Sequence, residues 1–170
     1  ESSGVYQLPE AQIDRFLFKL KITYPKMDEE HKILTTNITL RNFDDYNLNV
    51  VTGSREIVKM QDIVKNMFIT KEIEQYITRL VDATRNPEKY KIKLGNYIEW
   101  GCSPRASIGL FIGAKAEALL QGNNYVLPTY VKTVAHDVMR HRILLNYEGQ
   151  AENINTDDII KEIIEKVPMP

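Results

Sequence analysis

The chain has 170 residues, 43% apolar and 26% charged. That is the composition of an ordinary globular chain, long enough to bury a core without disulfides or structural metal. Its 22 basic and 23 acidic residues leave a formal net charge of −1, which offers no bulk field for nucleic acid or an anionic membrane. The single cysteine, Cys102, excludes an internal disulfide and a Cys-rich zinc site and fits a reducing, cytoplasmic setting. No apolar run approaches the ~18 residues that would indicate a membrane span.

In chain order, the sequence begins at Glu1 with small and polar residues and no signal-peptide pattern, so a piece of a longer protein is expected. Pro9 stands where a short helix can start. Residues 16 to 22 then alternate apolar and basic from Phe18 onward, a period of two that predicts a strand, broken by Pro25. No second convincing strand follows, so its sheet is expected to lie outside this chain. From Asp28 the period becomes helical, with Asp28, Glu29 and Glu30 in a first turn, and the helix is expected to reach about Leu40. Residues 41 to 54 read as a polar loop. A helix over 56–68 carries Ile57, Met60, Ile63, Val64 and Met67 on one stripe. Another follows Thr70 as its cap, with Ile73, Ile77, Leu80 and Val81 inward, and stops at Asn86-Pro87.

Residues 88 to 100 read mostly as loop. Ser103-Pro104 is a helix start, a capping hydroxyl followed by proline at the first helical position. That helix runs through Ile108, Phe111, Ile112 and Leu119 to about Gly122. Its Gly109, Gly113, Ala114, Ala116 and Ala118 would let another helix approach closely. Pro128 opens a further helix through Val131, Val134, Ala135 and Val138. A last one spans about Thr156 to Val167, with Ile159, Ile160, Ile163 and Ile164 inward. The expected fold is mainly α.

Few residues point to chemistry. There is no phosphate-binding Gly-x-x-x-x-Gly-Lys-Ser/Thr loop, no His-Glu-x-x-His and no Gly-x-Ser-x-Gly elbow. His136 and His141 are five apart and would face different ways on a helix, so no metal site is expected. A thiolate pair of Cys102 with either histidine is a weak reading beside that of a buried cysteine. Two arginines stand out. Arg105 falls in the first turn behind Pro104, where backbone N–H groups already favour an anion and a guanidinium could clamp phosphate; an ordinary surface arginine fits the position as well. Arg15 lies where the short helix hands over to the predicted strand, either projecting from an edge or satisfying helix-end carbonyls.

The segments that carry a resemblance are LPEAQIDRF with the alternating residues after it, LVDATRN at 80–86, the run from LGNYIEW through GCSPRAS to LPTYV, and HRILLNYE at 141–148. In this order, together, the chain resembles the C-terminal half of MoxR-type AAA+ ATPases, weakening at 41–52 and after Ala151. The resemblance implies residues 1–25 as the end of the α/β core and 26–170 as the helical lid. It implies Arg15 as the arginine finger acting in trans and Arg105 as the sensor 2 arginine acting in cis.

It further implies ATP and Mg2+ as cofactors of the full-length protein, a hexameric ring, client proteins and partners with von Willebrand factor A domains. The Walker A, Walker B and sensor 1 elements would precede Glu1, so this part alone is expected neither to bind ATP tightly nor to hydrolyse it. One departure is Leu127 where the family commonly has a hydroxyl-bearing residue before proline, which weakens that helix start. The alternative reading of the residues is a non-enzymatic, all-helical interaction module.

Overall fold

The computed structural model describes residues 8–37 and 46–170. They fall into two compact units, one of the chain up to Leu20 together with Asp62–Pro170, the other of Lys21–Gln61. The helices are α1 (Glu10–Ile13), α2 (Met27–Asn37), α3 (Ser54–Asn66), α4 (Lys71–Arg85), α5 (Pro104–Leu120), α6 (Pro128–Met139), α7 (Tyr147–Ala151) and α8 (Thr156–Lys166). Two short strands, β1 (Ile98–Trp100) and β2 (Leu144–Leu145), pair antiparallel, with Ile98 opposite Leu145 and Trp100 opposite Leu144. The fold is mainly α, as expected.

The core is built by α4, α5, α6 and α8. Tyr76, Leu80, Leu110, Val131, Val138, Met139, Ile159, Ile160 and Ile163 are fully buried or nearly so. The inward residues predicted for α4, α6 and α8 are buried there, Ile164 being half-buried. On α5 the small residues decide which face turns inward. Gly109 meets Val138 and Leu17, and Gly113 meets Val134 and Phe18. The α6 valines therefore sit against backbone, while Ile108 and Ile112 stay exposed.

Several expectations change. Residues 18 to 22 form no strand: without a partner strand the alternation has no ladder to join, and the Lys19 amide donates instead to the Asp137 carbonyl at 2.9 Å. Helix α2 is described to Asn37, and the rest of its expected span, like residues 41–45 of the loop, lies outside the described residues. The α3 stripe is helical as predicted, yet Ile57, Met60 and Ile63 are exposed and only Met67, just past the helix, is buried. Thr70 occupies the cap position of α4 without a side-chain capping bond. The stretch 88 to 100, expected to be mostly loop, holds 3-10 turns at Pro87–Tyr90 and Lys93–Tyr97 as well as β1.

Among the described residues no helix is long and apolar enough to cross a membrane.

Candidate functional site

The site begins where α4 ends. Thr84 is buried, and its Oγ1 accepts from the Cys102 amide at 2.9 Å while donating to the Val81 carbonyl. Arg85 Nε donates to the Cys102 carbonyl at 2.7 Å. These bonds press residues 101–102 onto the end of α4. A Cβ at Gly101 would lie 2.4 Å from the Thr84 carbonyl oxygen, so only glycine permits this approach. The chain then turns into α5 with Ser103 as cap, its Oγ accepting from the Arg105 amide at 3.2 Å, and Pro104 in the first turn. Gly101, Ser103 and Pro104 thus fix where α5 starts, and with it the backbone of Arg105.

The second element is the stretch after α1. It has little regular structure of its own and is held by side chains from the end of α6 and the residues beyond it. Arg142, its side chain only 2% exposed, donates from Nε to Asp14 Oδ1 at 3.1 Å. Its Nη2 reaches the carbonyls of Asp14 and Phe16 at 3.0 and 2.6 Å, and its Nη1 those of Leu17, at 3.2 Å, and Val138. One buried guanidinium thereby donates to a carboxylate and to four carbonyls.

His141 Nε2 lies 3.0 Å from the Phe16 carbonyl, which can only accept, so this nitrogen carries the proton. Burial, the largest influence, holds the His141 pKa below its ordinary value and keeps the ring neutral. Arg140 bonds the Lys19 carbonyl and pairs with Asp137 and Asp157.

Asp14 joins the two elements. Its carboxylate accepts from Ser103 Oγ at 2.9 Å to each oxygen, from Arg142 Nε, and from Arg105 Nη1 at 2.9 Å. Burial works to raise its pKa. Hydrogen bonds from Arg105 and Ser103 and the charge of Arg142 more than reverse this, and the group stays below the usual carboxylate value. The Arg105 side chain is 52% exposed, so its ion pair with Asp14 contributes about 0–1 kcal/mol to stability. Among the described residues, Nη1 is the one nitrogen of the Arg105 guanidinium with a hydrogen-bond partner.

Arg15, next in sequence to Asp14, is exposed; its amide bonds the Gln12 carbonyl at 3.2 Å, and among the described residues its side chain has no ion-pair partner. The two predicted arginines are therefore linked through the residue between them. Sequence reading missed Asp14 and Arg142. The signal that could have found them is that both lie inside segments carrying the resemblance, Asp14 in LPEAQIDRF and Arg142 in HRILLNYE.

The thiol reading fails on burial. Cys102 is fully buried, and burial pushes its pKa up to about 12. His141 bonds the Phe16 carbonyl, and His136 lies 3.3 Å from Asp157. Among the described residues no group of three or more His, Cys, Asp or Glu could hold a metal ion.

Residues 95–163 match the AAA lid domain. Over its full length the chain is 35% identical to the chaperone MoxR1 of Mycobacterium tuberculosis, of which it covers 44%. It is 27% identical to the protein MoxR of Methylorubrum extorquens, of which it covers 52%. A crystal structure of a Cytophaga hutchinsonii protein proposed to be an ATPase superposes on the whole chain with a TM-score of 0.89 at 37% identity; the chain covers 51% of it. The chain thus spans about half the length of the curated relatives it matches.

Proposed function

The chain belongs to the MoxR-type AAA+ family, and from that premise we propose that it is the lid-containing half of an ATPase. In this reading the full-length protein binds ATP with Mg2+, assembles into a hexameric ring and uses hydrolysis to remodel or mature client proteins, with von Willebrand factor A domain proteins as partners. Residues 1–25 end the α/β core and 26–170 form the lid. Arg15 is the arginine finger offered to the neighbouring subunit's ATP, and Arg105 is the sensor 2 arginine of its own.

The observation that carries this reading is the setting of Arg105. It sits in the first turn of α5, at the positive end of the helix dipole, which favours an anion. Its side chain is half-exposed, and among the described residues only Nη1 of its guanidinium has a hydrogen-bond partner. Phosphoryl transfer to water needs positive charge on the equatorial oxygens more than covalent help, and guanidinium groups supply it. When bound, ATP and its metal bring the reacting phosphate. This chain's own contribution is to hold one arginine on the lid and to present another in the exposed turn after α1.

In the full-length protein, Arg15→Ala abolishes hydrolysis, a loss on the order of 10³-fold or more, and leaves ATP binding largely intact. Arg105→Lys also lowers turnover, because an ammonium lacks the planar fork. Steady-state ATPase and nucleotide-binding assays check both, and normal turnover in either variant removes that residue from the site. The interaction-module reading draws on the Arg105–Asp14 ion pair, which by itself is what a purely structural arginine would make. Under it, both substitutions leave turnover unchanged.

A further inference from the structure

We infer that Asp14 is the positioning residue for Arg105: its carboxylate, anchored by Arg142 and Ser103, sets the direction in which the Arg105 guanidinium meets a phosphate. The inference rests on the reading of Arg105 as a phosphate ligand. It begins from the unequal roles of the four partners. Arg142 is buried and holds both the Asp14 carboxylate and the Asp14 carbonyl, so the position of this carboxylate is fixed from below. Ser103 Oγ donates to it from the cap of α5, the helix whose first turn bears Arg105. Arg105 contributes nothing comparable to the anchoring, because its side chain is half in solvent and meets Asp14 through Nη1 alone.

A long side chain in water samples many rotamers, and one fixed acceptor at the tip removes most of them. An acceptor on one terminal nitrogen leaves the remaining donors of the guanidinium available for a second anion. Asp14 is also the counter-ion of buried Arg142, taking the Nε donor that the four backbone carbonyls leave, whereas the Ser103 capping bond to the Arg105 amide does not need it. Beyond that structural part, the carboxylate gives the half-exposed Arg105 guanidinium one fixed acceptor. The residue that follows it is Arg15, so the carboxylate that aims one arginine belongs to the turn that presents the other.

The test is a double-mutant cycle on ATP turnover in the full-length protein, using Asp14→Asn and Arg105→Ala singly and together. The asparagine keeps an oxygen for Arg142 and Ser103 while losing the charge that directs Arg105. Asp14→Asn is expected to lower kcat about tenfold, a typical cost of misplacing a catalytic group. In the Arg105→Ala background it should lower kcat no further, because there is no guanidinium left to aim. Equal losses in both backgrounds would show a structural role and overturn the inference, as would wild-type kcat in Asp14→Asn.

If Arg105→Ala itself turns over normally, the phosphate-ligand reading falls, and this inference with it; impairment by Arg105→Ala alone removes only the inference. Should Asp14→Asn fail to fold, Asp14→Glu keeps the charge for Arg142 and displaces the carboxylate by one methylene. A loss of kcat for Asp14→Glu that vanishes in the Arg105→Ala background supports the positioning role. An unchanged kcat, or a loss persisting in that background, contradicts it.

Discussion

Two parts of the same compact unit are held by different physics. The helices α4, α5, α6 and α8 interlock through aliphatic side chains that are buried almost completely. The segment from Pro9 to Lys19 lies beside them with Phe16, Leu17 and Phe18 exposed, and is held mainly through polar bonds from Arg140, His141 and Arg142. Burial of apolar surface is non-directional and tolerates sliding, whereas a guanidinium bonded to named carbonyls fixes one position. The segment that carries Arg15 is thus placed by directional contacts, and the helical part supplies the stability beneath it.

The largest expected effect is in the core. Leu80→Ala, at a fully buried position of α4, should cost about 2–5 kcal/mol of unfolding free energy, measured by chemical denaturation. Arg142→Met should cost less overall, about 1–3 kcal/mol, as buried carbonyls lose their donor. Its mark is local: the Lys19 amide, bonded to Asp137, should exchange with solvent much faster while amides in α4 and α8 keep their protection. Equal loss of protection everywhere would show that the segment belongs to the core and would erase the contrast.

Acidification probes the polar part. Burial keeps the folded-state pKa of His141 below its ordinary 6.5, so the unfolded chain takes up the proton first and stability falls as pH drops below about 6.5. Asp82 is held down to about 2 by hydrogen bonds from Lys89, then Tyr90 and Asn86. Its contribution is present above the ordinary carboxylate value and disappears as pH falls through about 2. Asp14 and Asp157 are lowered too and act in the same direction. Thermal melting across pH should show His141→Gln removing the first decline and Asp82→Asn reducing the second. The smallest effect concerns Cys102, whose buried thiol should resist alkylation until the protein unfolds; rapid labelling of native protein would contradict its placement in the core.

The contrast also explains what was legible in the sequence. Helical periodicity identified the inner faces of α4, α6 and α8, because burial on a helix recurs every three to four residues. The start of α5 was readable from Ser103 and Pro104, since capping is local. The same periodicity gives the α3 helix and its stripe, but a repeating apolar pattern does not reveal whether anything covers it. The alternation at 18–22 predicts a strand by its period of two, but pairing depends on a neighbour that periodicity does not reveal. Strands of three and two residues are too short to show any period. At the site, Arg15 and Arg105 stand out by position, and the resemblance supplies their expected roles. Asp14 and Arg142 do not, because their partners lie about 90 to 128 positions away and no spacing rule connects them.

The central claim is that Arg15 acts on the neighbouring subunit's ATP and Arg105 on its own. Full-length Arg15→Ala and Arg105→Ala proteins, each expected to be strongly impaired alone, can be co-assembled in equal amounts and their ATP turnover measured. A site in an Arg15→Ala subunit keeps its own Arg105 and can borrow Arg15 from an Arg105→Ala neighbour. The mixture should therefore regain up to about a quarter of wild-type turnover, the share of interfaces carrying both arginines in a randomly filled ring. A co-assembled mixture no more active than its components would contradict the assignment.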